Sequence, residues 1–315
     1  MARRDSATAF AHLAETLALV SQGQPGHIVD TLIAERGTRI VNHPLWPVAR
    51  PLLHTVLNYR RAIEFADAVA NMPGFQAFEF LSGALDLDVA VCKAERIPEK
   101  GGFLLVSNHP TGIADGVAVF DLLKQRRPDM MFFANRDAIR VNPRFVEMII
   151  PVEWREEHKS ILKTRETLQI TNRAIAEGKA AVLFPSGRIA YWADGRLNER
   201  PWKMSAVSLA RKYDLPILPV HMKARNSGLF YWLAKWSTEL RDMTVFHELL
   251  NKRGDRFDFV IGNLIPAEQL DGDLNEVTKA LEKHTVQDMA GDGDATFVPV
   301  GLPAAMHHEV PVPAI

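Results

Sequence analysis

The spacing of apolar residues along the chain changes near residue 88. Ahead of that point the pattern reads as helices. Gly23-Gln24-Pro25-Gly26 separates a short amphipathic start from a helical stretch over Ile28 to Ile40, and Pro44, Pro47, Pro51 and Gly74 punctuate the chain beyond it. From Val89 onward, short apolar runs alternate with longer amphipathic stretches. Val89–Val91, Phe103–Val106, Met130–Ala134, Ile149–Val152, Ala180–Leu183, Ile217–Val220 and Phe257–Ile261 predict strands, because a short apolar run bounded by turn residues suits a buried strand. Asp115–Lys124, His158–Glu177, Lys203–Lys212 and Leu274–Met289 predict helices, with Pro201 ahead of one and Gly178 closing another. Such alternation builds an α/β sheet covered by helices. The expected organisation is a helical region over 1–87, an α/β domain over 88–290, and a tail over 291–315. The tail is rich in Gly, Pro and Ala without a helical period, and disorder is expected there.

At 315 residues and 47% hydrophobic content the chain can bury a full core, which excludes the disordered and fibrous classes. The single cysteine, Cys92, cannot form an internal disulfide, and its apolar surroundings read it as a buried small hydrophobe. No run reaches the roughly 20 apolar residues of a spanning helix. Met1-Ala2-Arg3-Arg4 is followed by His12 and Glu15 where a signal peptide needs an unbroken apolar core, so a cytosolic chain is expected. Leu229–Trp236 carries enough Leu, Trp and Tyr to lie on a membrane surface, and it suits a core helix packed on the sheet equally well. A formal net charge of −1 gives no global pull on anionic lipid or nucleic acid, so any attraction must be local. Between Leu122 and Phe145, six basic residues (Lys124, Arg126, Arg127, Arg136, Arg140, Arg144) stand against two acidic ones (Asp129, Asp137). That excess suits phosphate headgroups or an acidic carrier protein, and also a merely solvated helix face.

One run carries candidate chemistry. Phe103-Leu104-Leu105-Val106-Ser107-Asn108-His109-Pro110-Thr111-Gly112-Ile113-Ala114-Asp115-Gly116 delivers a histidine from a predicted strand into a Pro/Gly turn, and a carboxylate comes six residues later. Histidine, with an unperturbed pKa of about 6.5, can accept a hydroxyl proton at neutral pH, and a carboxylate on its other ring nitrogen fixes the tautomer and stabilises the imidazolium. His109 and Asp115 are therefore the candidate catalytic pair, although Asp115 also suits the cap of the next helix. Phe184-Pro185-Ser186-Gly187-Arg188 comes directly after another strand. Gly187 would let backbone approach a substrate, or simply make a tight turn; Arg188 offers a planar fork to a phosphate or carboxylate, or a surface salt bridge. No Ser or Cys sits in a nucleophile-elbow sequence, so direct attack by an acceptor is expected. Rival motifs fail: His247-Glu248 has Asn251 where a zinc pair needs histidine, and His307-His308-Glu309 lies in the expected tail. Arg60-Arg61 has no nucleic-acid module around it. Neither a metal nor a nucleic-acid partner is expected.

Taken in order, these segments resemble the PlsC-type glycerolipid acyltransferases, the family of lysophosphatidic acid and glycerol-3-phosphate acyltransferases, over roughly residues 88–265. Asn108, His109 and Asp115 fall on its first block, Arg136 within Phe132-Phe133-Ala134-Asn135-Arg136 on its second, Phe184–Arg188 on its third and Pro219 on its fourth. The resemblance implies a mixed sheet covered by helices, with His109 as general base oriented by Asp115. Asn108, Gly112, Arg136, Gly187 and Arg188 become candidate substrate-binding residues, with Arg140 an alternative to Arg136 and Pro219 shaping a strand end. It further implies acyl-CoA or acyl-ACP as cosubstrate with no resident cofactor. The implied acceptor is a lysophospholipid such as 1-acylglycerol-3-phosphate, met through peripheral contact with the cytosolic face of a membrane. Two departures matter. Five residues rather than the usual four separate His109 from Asp115, as in the hemolysin-like branch that carries His-Pro-x-Gly-x-x-Asp-Gly and is associated with ornithine lipid synthesis. Ser186 replaces the family Glu, and one residue is lost before Arg188. Acyl transfer survives both changes, while the acceptor opens to a lyso-ornithine lipid; a catalytically inactive lipid-binding fold is the remaining alternative.

Overall fold

The computed structural model describes residues 26–153 and 159–300. The amphipathic start and His307 to Glu309 lie outside them. Helices α1 (Ile28–Arg36), α2 (Thr38–Val41), α3 (Trp46–Val56), α4 (Tyr59–Val69) and α5 (Gly74–Leu85) come first. Pro47 and Pro51, expected to punctuate the chain, both fall inside α3. Pro47 sits in the first turn, where no backbone N–H is owed, and Pro51 forgoes a single bond to the carbonyl one turn back.

The sheet opens with β1 (Asp88–Cys92) and β2 (Phe103–Ser107), and continues through α6 (Ile113–Leu123), β3 (Met131–Asn135), α7 (Asp137–Val141), β4 (Ile149–Val152), α8 (Ile161–Ala176) and β5 (Ala180–Leu183). A hairpin of β6 (Tyr191–Ala193) and β7 (Arg196–Asn198) leads to α9 (Ser205–Tyr213) and β8 (Ile217–Lys223). Then come α10 (Gly228–Trp236), α11 (Thr238–Met243), α12 (Val245–Leu250), β9 (Arg256–Ile261) and α13 (Leu274–Lys283). Each run predicted to be a strand forms one, in the order β1-β9-β8-β2-β5-β3-β4. β8 and β9 pair antiparallel and the other neighbours pair parallel, so the sheet is mixed.

β2 lies in the middle, and all of its residues are buried. Its alternating side chains feed two cores. Phe103 and Leu105 join Phe78 and Phe120 of α5 and α6, while Leu104 and Val106 join Val207 and Leu281 of α9 and α13. A strand covered on both faces needs a nearly continuous apolar sequence, which is why the run was legible. The N-terminal helices close on α11 and α12 through Val29, Ile33, Tyr59, Ala62, Met243 and Leu250.

Two expectations are corrected. Cys92 is exposed, because β1 is the outermost strand and has a neighbour, β9, on one side alone. Residues 291–300, expected to be disordered, are packed: Phe297 is buried against Val277 and Leu281, and Asp294 bridges Lys93 at 3.0 Å and Arg96 at 2.5 Å. One buried ring and one ion-pair cluster hold a stretch whose composition alone points to disorder. The last predicted helix runs its full expected length, with a π-helical turn over His284–Asp288 between α13 and a final helical turn over Met289–Gly291.

Candidate active site

His109 stands two residues past the end of β2, at the edge where the carboxyl ends of β2, β3, β4, β5 and β8 gather. Open α/β sheets place their ligand sites along such an edge. His109 Nδ1 lies 2.8 Å from Asp115 Oδ2. Asp115 is fully buried in the first turn of α6, and its carboxylate accepts the backbone N–H groups of Thr111 at 2.9 Å and Gly112 at 3.0 Å, together with the Thr111 hydroxyl. Capping and orienting are thus one arrangement. As the third residue of the helix, Asp115 satisfies donors of the entering turn and still offers an oxygen to the imidazole. With the Nδ1 proton held by Asp115, Nε2 keeps its lone pair and has no partner among the described residues. Phe184, from the third block, stacks on the imidazole with ring centroids 4.5 Å apart and fixes the ring plane from below.

The turn between His109 and Asp115 passes through Gly112, whose φ is +97° and where a Cβ would come within 2.7 Å of Ile189 Cδ1. Only glycine fits there. Its N–H is given to Asp115, so Gly112, expected to bind substrate, is placed in the turn with its backbone donor engaged. Asn108 is likewise engaged: its Nδ2 donates to the Met222 carbonyl at 2.7 Å and its Oδ1 accepts the Met222 N–H at 2.8 Å, clamping the end of β2 to β8. Arg136, at the far end of β3, is held by Glu166 at 2.7 Å, and Arg140 by Glu35 at 2.7 Å. The structure does not bring either guanidinium to His109. Pro219 lies within β8 rather than at its end, packed where a Cβ on Gly262 would touch it at 2.8 Å.

The third block turns tightly after β5. Gly187 has φ +61°, and the buried Ser186 hydroxyl donates to the Arg188 carbonyl at 3.0 Å. Arg188 is exposed and has no acidic partner among the described residues. A second cation, Lys203, reaches the same turn, its Nζ lying 3.3 Å from where a Cβ on Gly187 would be.

The β6–β7 hairpin was not foreseen, although Asp194-Gly195 signals it. Both residues have positive φ, +52° and +73°, as a two-residue hairpin turn demands. This segment grips the backbone of His109 from both sides. The Ala190 N–H donates to the His109 carbonyl at 2.9 Å, and Glu199 Oε2 accepts the His109 N–H at 3.0 Å. Glu199 Oε1 is buried without a partner among the described residues. Burial pushes the Glu199 carboxyl pKa up, against the opposite pull of the Ser186 hydroxyl and the His109 amide. A carboxyl group therefore stands beside Ser186 after all, supplied from the end of the hairpin.

Residues 88–223 match the family model described as Acyltransferase, a span that opens with β1 and closes with β8. The chain is 26% identical over 207 residues to a lyso-glycine lipid O-acyltransferase of Phocaeicola vulgatus, covering 64% of this chain and 72% of that protein. It is 23% identical over 193 residues to a protein of the same description from Bacteroides thetaiotaomicron, covering 59% and 69%. The crystal structure of the 1-acyl-sn-glycerophosphate acyltransferase PlsC from Thermotoga maritima aligns with 87% of this chain and 94% of its own, at 16% identity and a TM-score of 0.44. His109, Asp115, the third block and the hairpin that grips His109 all fall within the matched span, so the part of the chain that carries the site is the part that is similar to the acyltransferase family.

Proposed function

We propose that the protein moves a fatty acyl group from an acyl thioester, acyl-CoA or acyl-ACP, to the hydroxyl of a lyso-lipid. The observation that carries this reading is the buried Asp115 held 2.8 Å from His109 Nδ1, with Nε2 without a partner among the described residues. Nε2 takes the proton of the acceptor hydroxyl as its oxygen attacks the thioester carbonyl; a C–O bond forms, the C–S bond breaks, and the imidazolium returns the proton to the leaving thiolate. Asp115 stabilises the imidazolium between those steps. The thioester is a cosubstrate, and this chemistry uses no resident cofactor.

The acceptor that the residues favour bears an amino-acid headgroup. Both curated relatives are lyso-glycine lipid O-acyltransferases, and the third block carries Ser186 in place of the family Glu. Arg188 and Lys203 would meet the headgroup carboxylate, the guanidinium through a bidentate contact. Among the described residues no helix is long and apolar enough to cross a membrane. The protein would then work peripherally on the cytosolic face, where acyl-CoA and acyl-ACP are made available.

Mass spectrometry of the purified full chain with lyso-glycine lipid, lyso-ornithine lipid and lysophosphatidate, each with both thioester donors, tests the reading. His109→Ala should lower turnover by about 10² to 10⁴. Turnover in that variant above roughly a tenth of wild type would remove His109 as the base, and preference for lysophosphatidate would remove the amino-acid acceptor.

A further inference from the structure

The β6–β7 hairpin and α10 meet beside His109. The Trp192 ring lies 5.8 Å from that of Tyr231, the Tyr231 hydroxyl accepts the Asn226 N–H at 3.0 Å, and the Asn226 amide donates at 3.2 Å to the carbonyl of Thr111, in the turn that engages Asp115. α10 divides its aromatic residues. Phe230, 1% exposed, and Leu233 hold the helix on the protein, whereas Trp232 and Trp236 stand outside at 55% and 75% exposure with rings 6.3 Å apart. Trp192, on the adjoining hairpin, is 43% exposed. Core packing accounts for Phe230 and leaves the three indoles unexplained.

The charge around them is mostly positive, since Glu239, beside Trp236 and Lys235, is bridged to Arg39 at 3.7 Å. Arg188, Arg196, Lys203, Lys223, Arg225 and Lys235 are exposed and have no acidic partner among the described residues, with Asp194 the exposed acid of the hairpin turn. Arg225 directly precedes Asn226, whose N–H binds the Tyr231 hydroxyl, which ties the turn after β8 to the same unit. Indole rings favour the headgroup layer of a bilayer, and unpaired lysine and arginine favour anionic lipid. A second copy of this chain would bring like charges together, which opposes self-association through this face.

We infer that the hairpin and α10 seat the protein on an anionic phospholipid bilayer, with Trp192, Trp232 and Trp236 in the headgroup layer and the unpaired cations against lipid phosphates. The seat deepens the lyso-lipid reading and rests on it for its purpose, since it sets the opening at His109 against the surface that holds the acceptor. The hairpin that enters the surface is also the one that grips His109.

Co-sedimentation of the full chain with vesicles tests the seat without using the acceptor. Wild type should bind vesicles of phosphatidylcholine with phosphatidylglycerol, bind pure phosphatidylcholine far less, and release as salt rises. Trp192→Ser/Trp232→Ser/Trp236→Ser should weaken binding by about tenfold or more while the thermal transition stays in place, because the rings are exposed. Arg196→Glu/Arg225→Glu/Lys235→Glu should weaken binding to the anionic vesicles on the order of a hundredfold, at about fivefold per cation, and it carries the test if the tryptophan variant does not fold. Undiminished binding in the charge variant, absence of binding in wild type, or a wild-type dimer that the tryptophan variant converts to monomer would each overturn the inference. Acylation of a short-chain lyso-lipid dissolved as monomers should be unchanged in Trp232→Ser/Trp236→Ser, which leaves the hairpin at His109 untouched. If wild type acylates no lyso-lipid, the proposed function fails, and the vesicle result still decides the seat.

Discussion

Between Leu122 and Phe145 every basic side chain has found an acid, whereas between Arg188 and Lys235 none pairs with a carboxylate among the described residues. In the first stretch Lys124 meets Asp121 at 2.6 Å, Arg126 meets Glu99 at 2.9 Å, Arg127 meets Asp129 at 2.8 Å, and Arg136, Arg140 and Arg144 meet Glu166, Glu35 and Glu147 at 2.7 Å. The attraction for phosphate that the linear charge count suggests is neutralised there. A cation's field depends on its partners, and the partners come from elsewhere in the chain: Glu35 reaches Arg140 across 105 positions and Glu166 reaches Arg136 across 30. The second stretch, which a linear count makes less conspicuous, keeps its charge free of carboxylates among the described residues.

Arg127 puts the largest effect on this contrast. Its guanidinium is buried, grips Asp129 with two bonds of 2.8 Å, donates to the carbonyls of Gly101 at 2.8 Å and Gly178 at 2.9 Å, and lies 4.9 Å from the Phe103 ring centroid. Arg127→Ala should cost about 3 kcal/mol in urea denaturation, because it strands carbonyls of two loops as well as the carboxylate, while kcat of the folded enzyme stays within about twofold. The pH dependence has a definite sign. The Arg127 guanidinium holds the Asp129 carboxyl below the usual carboxylate range, so the pair stabilises fully above about pH 4 and loses its effect as the pH falls through the lower folded value. The gap between wild type and variant should narrow in acid. A gap that widens there would mean that Asp129 is not what Arg127 serves.

The fold was legible where apolar runs are short and continuous, since each of them became a strand of one sheet whose middle strand, β2, is buried along its whole length. The His109–Asp115 pair was legible because both members lie in one strand–turn–helix segment and need no distant partner. Asn108, Arg136 and Glu199 were not. The partners that decide their roles, the Met222 backbone, Glu166 and the His109 amide, are contributed by elements 114, 30 and 90 positions away. Phe297 shows the same limit from the side of packing, since a single ring in a Gly- and Pro-rich stretch gives no periodicity to read.

Glu199 sharpens the contrast, being an acid within the cation-rich stretch that binds a backbone amide and no cation. Glu199→Ala should lower kcat by about tenfold or more with little change in either KM, because it frees the backbone that positions the base. Glu199→Gln keeps an acceptor oxygen for the His109 N–H and should restore most of that loss. Equal losses in the two variants would show that the charge matters and the hydrogen bond does not, and an unchanged kcat in the alanine variant would leave His109 held by Ala190 alone.

Arg188→Lys is the finest probe, since it keeps the charge and removes the planar fork. Exposed and without an acidic partner among the described residues, the Arg188 side chain adds little to the fold, so the thermal transition should not move. A bidentate contact to a headgroup anion should weaken, raising the KM for the lyso-lipid by about fivefold and leaving the KM for the thioester nearly unchanged. A rise confined to the thioester would place Arg188 on the donor side of the cleft. If both constants hold while binding to anionic vesicles falls, Arg188 belongs with Arg196, Arg225 and Lys235 to the membrane seat, and Lys203 becomes the cation that faces the acceptor. If nothing changes, including vesicle binding, then an unpaired cation beside the site can be idle, and the comparison between the two basic stretches reduces to one of stability.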